Sequence, residues 1–132
     1  MNMSQEQFNL KWHTYSDHLK GLMQNLMKSD SLTDVTLVCE DKIKIKAHKF
    51  VLKSCSPVFQ LIIDDLPLKE NSVIYLKGIL SQEMRSILQF IYLGEATFYQ
   101  DRTNEFLNVA KSLEIKEISK NVENEDAETL GM

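Results

Sequence analysis

The sequence is poor in the residues that build metal sites and reactive sites. It has only two cysteines, Cys39 and Cys55, and both lie inside apolar patterns, so we expect buried free thiols in a reducing compartment. A zinc site needs more cysteine or histidine at ligand spacing, and the three histidines of the chain do not complete one with this pair. The sequence therefore predicts no bound metal.

The glycine and serine motifs of catalytic sites are absent as well. No serine lies in a nucleophile elbow. The acids Asp64 and Asp65 precede Pro67, where solvated turn residues are commoner than a catalytic pair. A glycine-rich phosphate loop is excluded because the four glycines are scattered, at Gly21, Gly78, Gly94 and Gly131. We therefore expect neither an enzyme nor a bound cofactor.

Long apolar runs and an excess of basic residues are also missing. No apolar stretch approaches the roughly 18 residues of a membrane span, and no secretory signal is visible, so we expect no membrane contact. The net charge is −4; residues 1–116 hold 14 acidic and 14 basic side chains, so the whole excess lies in residues 117–132. Because nucleic-acid-binding surfaces are usually basic, we expect no direct nucleic-acid contact by this domain.

The most ordered pattern in the chain spans residues 34–59. Apolar and polar residues alternate over 35–39 and again over 43–47, where lysines occupy the polar face. This period of two predicts a β-hairpin with one face towards the core and one towards water. Ser56 followed by Pro57 predicts a helix start, because serine can cap a helix and proline suits its first turn.

Helical periodicity accounts for most of the remaining chain. We predict helices from Thr14 to about Lys28, from Pro57 to Asp64, from Ser81 to Gly94 and from Thr103 onward, with Thr14, Ser81 and Thr103 as capping residues. Further strands are predicted at 73–76 and 96–99. Three or four core strands, an extra N-terminal strand and about five helices predict an α+β fold in which the helices pack on a small sheet.

Two features of the N-terminal part are open from the residues alone. Phe8, Leu10 and Trp12 alternate with polar residues and predict a strand that needs a sheet edge, either in its own chain or in another. The first helix carries an apolar stripe wider than one core contact requires. It is either a broad core face or a helix covered on two sides; its residues are Tyr15, Leu19, Leu22, Met23 and Leu26.

Three motifs of this chain resemble the core of a BTB (POZ) domain: Asp34-Val35-Thr36-Leu37, Ala47-His48-Lys49 with Val51-Leu52, and Ser54-Cys55-Ser56-Pro57-Val58-Phe59. Phe8-Asn9-Leu10-Lys11-Trp12 is similar to the N-terminal extension of tramtrack-type BTB domains of insect transcription factors, and the stretch 113–118 is similar to their C-terminal end. The resemblance implies a flexible N-terminus at 1–7, a BTB/POZ domain at 8–119 and the start of an acidic linker at 120–132.

The resemblance also implies a protein–protein interaction domain of a nuclear transcription or chromatin regulator. BTB domains of this type form homodimers in which the N-terminal strand of one chain pairs with residues 95–99 of the other, and such dimers can join into larger even-numbered assemblies. Other BTB proteins and co-regulators are further implied partners. The implied interface residues are Phe8, Leu10, Trp12, Tyr15, Leu19, Leu22, Met23, Leu26, Ala96 and Phe98.

Asp34 and Lys49 have two interpretations. The residues alone favour a turn aspartate and a surface cation, whereas the resemblance implies a charged pocket near the dimer interface that contacts co-repressor peptides. The alternative function for the whole domain is that of a substrate adaptor for a cullin ubiquitin ligase. Residues 65–70 carry no glutamate two positions after Leu66 or Pro67, although Leu68-Lys69-Glu70 has the hydrophobic-x-Glu spacing of such adaptors, and no further helices are expected after the domain.

Overall fold

The computed structural model of the chain describes residues 5–67 and 70–118. This part contains five α-helices and three strands, which confirms the predicted α+β arrangement. A 3-10 turn, Gln100–Arg102, precedes the last helix. In chain order the elements are α1 (Tyr15–Lys28), β1 (Val35–Cys39), β2 (Lys44–Ala47), α2 (Lys49–Cys55), α3 (Pro57–Asp64), β3 (Ser72–Leu76), α4 (Ser81–Leu93) and α5 (Thr103–Ser112).

The sheet is mixed, with strand order β2-β1-β3. The central strand β1 runs antiparallel to β2, with Leu37 opposite Ile45, and parallel to β3, with Leu37 opposite Ile74. This confirms the predicted hairpin, which is closed by the Cys39 N–H donating to the Ile43 carbonyl at 3.0 Å. The second strand begins at Lys44, one residue later than predicted.

The core lies between the inner face of the sheet and the helices α2 to α5. Its fully buried side chains include Phe59, Leu37, Leu52, Met84, Ile87 and Ile115. Burial of each large apolar side chain contributes about 1.5–3 kcal/mol, so this cluster supplies most of the driving force for folding. The helix α1 lies against α4 at the margin of this core.

The predicted start of α3 at Ser56 is confirmed. The Ser56 hydroxyl accepts the Phe59 N–H at 3.1 Å, and Pro57 is the first helical residue. The same hydroxyl donates to the Leu113 carbonyl at 2.6 Å, so one serine both caps α3 and holds it against the end of α5. A cap of this kind contributes about 1 kcal/mol.

The predicted cap of α4 is wrong. Ser81 is the first residue of α4 rather than its cap, and its N–H and hydroxyl donate to the Asp41 carboxylate at 3.1 and 2.6 Å. These bonds hold the pKa of Asp41 below its usual value. The acceptor for this helix start thus comes from the hairpin turn, which a local sequence pattern cannot reveal. The predicted stop at Gly94 is confirmed, with a left-handed φ of 83°.

Thr14 holds the predicted capping position before α1, whereas the cap predicted at Thr103 is wrong. Neither side chain accepts a hydrogen bond from the helix that follows it. The Thr14 hydroxyl accepts the indole N–H of Trp12 at 3.0 Å. Thr103 is the first residue of α5, and its hydroxyl donates to the Gln100 carbonyl at 2.7 Å. Both threonines hold the turns before their helices.

The strands predicted at 8–12 and 96–99 are not formed within the single chain. A strand requires a hydrogen-bonded neighbour, and the described sheet has only β1, β2 and β3. Across 5–67 and 70–118, no helix is both long and apolar enough to cross a bilayer. The predicted acidic linker at 120–132 lies outside the described residues.

Candidate protein-interaction surface

The segment 5–12, here called the arm, exposes large apolar side chains to water. Phe8 is 92% exposed and Leu10 is 97% exposed. Trp12 is anchored, because its ring centroid lies 5.3 Å from that of Tyr15 and 4.7 Å from that of His18 at the start of α1. The arm therefore joins the domain at Trp12 and presents Phe8 and Leu10 without cover from the rest of the described chain.

The helix α1 is covered on one side only. None of its 14 residues, all within the described part of the chain, is buried. Met23, Leu26 and Met27 pack against the core, whereas Tyr15, Leu19 and Leu22 remain 41–51% exposed. The wide apolar stripe of the sequence is therefore divided between a core contact and an uncovered face. This favours the interpretation of a helix made to be covered on two sides.

Residues 95–99 form a segment whose central residue uses its backbone groups on one side only. The Thr97 N–H donates to Gln89 Oε1 at 3.0 Å, and the Thr97 carbonyl accepts the Ser86 hydroxyl at 2.8 Å. Backbone groups of successive residues in an extended chain point to opposite sides. Those of Ala96 and Phe98 make no hydrogen bond to any described residue, so this edge is available for pairing with a strand.

The position of this segment is fixed by packing on the α5 side. The ring of Phe98 stacks on that of Phe106 with a centroid distance of 4.3 Å and an interplanar angle of 10°. The turn that follows is held by Arg102, whose guanidinium donates to both carboxylate oxygens of the buried Glu83 at 3.0 and 2.9 Å. An edge held in this way is preorganised for strand addition, because little further ordering is required on binding.

The structure brings α1 close to the 95–99 segment. Lys20 Nζ lies 3.6 Å from Glu95 Oε1, which joins the two elements at the surface. The predicted interface residues thus fall into three neighbouring groups: the arm, the α1 face and the free edge. Their role in a dimer stays a prediction.

Asp34 and Lys49 are also brought together, but not as a pair of charged side chains. The Lys49 backbone N–H donates to Asp34 Oδ1 at 2.7 Å, while Lys49 Nζ donates to the carbonyls of Pro67 and Glu70 at 2.8 and 2.9 Å. Lys49 is only 7% exposed, so its interpretation as a surface cation is wrong. The binding of a co-repressor peptide by this pair stays a prediction.

A buried polar network centred on Tyr92 was not predicted. The Tyr92 hydroxyl accepts the His48 N–H at 3.1 Å and lies 2.7 Å from His48 Nδ1, while His48 Nε2 lies 2.9 Å from the Ser31 carbonyl. Since a carbonyl can only accept, Nε2 carries a proton, and in the neutral ring Nδ1 then accepts the tyrosine hydroxyl. Burial raises the pKa of Tyr92 to about 12. The 44-residue separation leaves no signal of this contact in the sequence.

The two cysteines are free, as predicted, but only Cys39 is buried. Burial raises the pKa of the Cys39 thiol, which suits an inert core residue. Cys55 is half-buried at the end of α2, so the prediction that it is buried is wrong. Among the residues that the structure describes, no three His, Cys, Asp or Glu side chains are placed to hold a metal ion.

Comparisons with known proteins identify the family. The BTB/POZ domain family matches residues 23–130. Zinc finger protein chinmo of Drosophila melanogaster is 40% identical over 115 residues, which cover 87% of this chain and 19% of that protein. The tramtrack alpha isoform of the same fly is 37% identical over 116 residues, which cover 88% of this chain and 14% of that protein.

A third relative is close to this chain in length. The Longitudinals lacking protein-like of Drosophila melanogaster is 37% identical over 116 residues, which cover 88% of this chain and 90% of that protein. This chain thus spans less than a quarter of chinmo and tramtrack but most of the third relative. The family match and these identities show that the chain belongs to the BTB/POZ domain family, in the group of insect BTB proteins that includes tramtrack.

Proposed function

We propose that this BTB domain is the self-association module of a nuclear transcription or chromatin regulator. Membership of the family supports a protein-interaction domain. The observation that supports self-association is the uncovered apolar face of α1, on which Tyr15, Leu19 and Leu22 remain about half exposed. Apolar side chains grouped in this way mark interaction surfaces more often than isolated exposed residues do.

The proposed dimer is built by exchange of the arm. The arm of one protomer pairs with residues 95–99 of its partner, where Ala96 and Phe98 supply unused N–H and carbonyl groups. Strand alternation then places Phe8, Leu10 and Trp12 on one face. The α1 helices of the two protomers pack across the two-fold axis, because a two-fold interface brings the same patch of both chains together.

The arm supplies a large part of the energy of association. Completing the burial of Tyr15, Leu19 and Leu22 on both protomers, at about 1 kcal/mol for each side chain, contributes about 6 kcal/mol. Association costs on the order of 4–15 kcal/mol, so contacts between α1 helices alone leave little net stabilisation. The nearly fully exposed Phe8 and Leu10 add about 1.5–3 kcal/mol each, and each backbone bond of the exchanged strand adds about 1 kcal/mol.

The decisive experiment is the mass of the chain in solution. Gel filtration coupled to light scattering at a series of micromolar concentrations is expected to give an even multiple of the chain mass. Dimers that associate further give four or more chains at the upper end of the series. A monomer throughout the series contradicts the proposal.

The regulatory role is supported by the relatives rather than by the site. Chinmo is named a zinc finger protein, and this chain corresponds to only a small part of it. We therefore propose a non-catalytic domain that acts in the nucleus, with a second copy of itself, other BTB proteins and co-regulators as partners. Pull-down with a cullin is expected to capture nothing; specific capture favours the ubiquitin-ligase adaptor instead.

A further inference from the structure

A groove between the end of α1, strand β2 and helix α4 combines an apolar floor with a cationic rim. Its volume is about 520 Å³. Ile45, Leu88 and Leu93 are among the residues of its floor, and Tyr92 lies beside them. Three cations line it, Lys28, Lys46 and Arg85, and no acidic residue of the described chain does.

The three cations are only weakly compensated by neighbouring acids. Lys28 and Arg85 make no ion pair within the described residues. Lys46 Nζ lies 3.8 Å from Asp30 Oδ2, but both side chains are more than half exposed, and such pairs are weak. The charge of Arg85 also acts on Asp41, whose carboxylate is already bonded to Ser81. The rim is therefore able to receive further carboxylates.

The chain itself contains a segment of complementary charge. Residues 119–132, here called the acidic tail, carry a net charge of −3, from Glu123, Glu125, Asp126 and Glu128 against Lys120. Apolar residues are interspersed among its carboxylates, namely Val122, Ala127 and Leu130. A segment with both kinds of side chain matches a groove with an apolar floor and a basic rim.

The length of the tail is sufficient for it to reach the groove. Fourteen residues follow Ile118, the last described residue. At roughly 3.3 Å per residue they span up to about 46 Å. A domain of this size has a radius of gyration of about 14 Å, which corresponds to a sphere about 36 Å across, so the extended tail is longer than the domain is wide. We infer that the acidic tail binds in the groove between α1, β2 and α4.

Tethering makes such a contact effective even though its ion pairs are individually weak. A short linker gives an effective concentration in the millimolar range, so a low-affinity site is still occupied. Because the charges lie at the surface, added salt weakens the contact. The inference does not depend on self-association, because neither the arm nor the exposed face of α1 lines the groove, although Thr97 of the 95–99 segment is among the residues that do.

Carbodiimide crosslinking of the intact chain tests the inference. The reagent joins a carboxylate to a lysine amine that it touches, and mass spectrometry identifies the joined peptides. We expect tail carboxylates to be linked to Lys28 and Lys46 in preference to the exposed Lys77 and Lys111, and we expect high salt to abolish this preference. Links spread evenly over all lysines, or concentrated on Lys53 and Lys116, overturn the inference.

Substitution of Arg85 gives an independent test, because carbodiimide joins carboxylates to lysine amines and not to the Arg85 guanidinium. Arg85→Gln is expected to lower the yield of links to Lys28 and Lys46 about two- to fivefold, as the loss of one exposed ion pair allows. The matched control Lys77→Gln is expected to leave that yield unchanged. Equal yields in the two variants, with unchanged thermal unfolding, overturn the inference. Light scattering of Arg85→Gln separately shows whether self-association, which the inference does not require, is present.

Discussion

Single residues determine how the loops of this domain are held on its core. Lys49 is buried and its ammonium group donates to two backbone carbonyls, of Pro67 and Glu70. Tyr92 performs a similar role for the start of α2, because its hydroxyl bonds to both the backbone and the ring of His48. A buried polar group without a hydrogen-bond partner lowers the free energy of unfolding, so substitutions that remove one partner test these contacts directly.

Lys49→Met is expected to lower the free energy of unfolding by about 1–3 kcal/mol, because two carbonyls lose their donor. Urea denaturation followed by circular dichroism measures the change. Lys44→Met is the matched control; Lys44 is exposed on β2, and we expect an effect within about 0.5 kcal/mol. Equal unfolding midpoints for the two variants contradict the assigned role of Lys49.

Tyr92→Phe is expected to cost about 1–3 kcal/mol at neutral pH, because the buried N–H and Nδ1 of His48 lose their partner. The folded pKa of Tyr92 is about 12, above its ordinary value of 10. The protonated hydroxyl therefore stabilises the fold fully below pH 10, and this contribution is lost as the pH rises from 10 to 12. Denaturation at several pH values should show the difference between parent and variant shrinking across that window. Tyr75→Phe, at a half-exposed position, should show no such change.

At the scale of elements, α1 and the segment 95–99 are incomplete in a single chain. The helix has a core side and an uncovered side, and the segment has one bonded and one free set of backbone groups. In the proposed dimer, a second chain covers the exposed side of α1 and bonds to the free backbone groups of 95–99. The predictions at this scale therefore concern association rather than folding.

Leu22→Asp is expected to convert the oligomer to monomers, because it places an unpaired charge in the proposed interface at a cost of several kcal/mol. Its side chain is 51% exposed in the single chain, so the monomer should keep its helical content. Leu19→Asp should act in the same way. Gln24→Asp, at an exposed position of the same helix, is the control and should leave the mass unchanged. Retention of the oligomer by Leu22→Asp contradicts the proposed packing of α1.

Ala96→Pro removes an N–H that bonds to nothing in the described chain but pairs with the arm in the proposed dimer. It should weaken association, as should deletion of residues 1–12. If the arm and this segment pair with each other, the two changes are not additive, and the double variant is no weaker than either single one. Dissociation constants from analytical ultracentrifugation test this. Additive losses mean that the arm binds elsewhere.

At the scale of the whole molecule, excess charge and exposed apolar residues are separated along the sequence. The excess negative charge lies at the C-terminal end, whereas the exposed large apolar residues considered for association lie in the arm and α1. Only one ion pair, between Lys20 and Glu95, is found near this apolar surface in the described chain. The proposed assembly is therefore held by apolar burial and backbone bonds.

The mass of the oligomer is consequently expected to change little when the salt concentration is raised, because screening acts on exposed charges and not on apolar burial. Light scattering in low and high salt measures this. In the same buffers, the preference of the acidic tail for crosslinking to Lys28 and Lys46 should be lost at high salt. An oligomer that dissociates in high salt contradicts an apolar interface.

Prediction from the sequence was reliable where the signal is local. The alternation over 35–39, the Ser56-Pro57 start of α3 and the stop at Gly94 depend on neighbouring residues, and all three are confirmed. Prediction was wrong where a distant residue supplies the partner. Asp41 anchors the start of α4 from the hairpin turn, a contact invisible to any pattern read along the chain.

The sequence by itself determined the α+β class, the family and the wide apolar stripe of α1, because these follow from periodicity and motif order within the chain. Only the tertiary structure decided that Lys49 is buried, that Tyr92 bonds to His48, and that Ala96 and Phe98 keep a free backbone edge. The reason is that burial and hydrogen-bond partners depend on which distant segments pack together, and packing is a property of the folded chain as a whole.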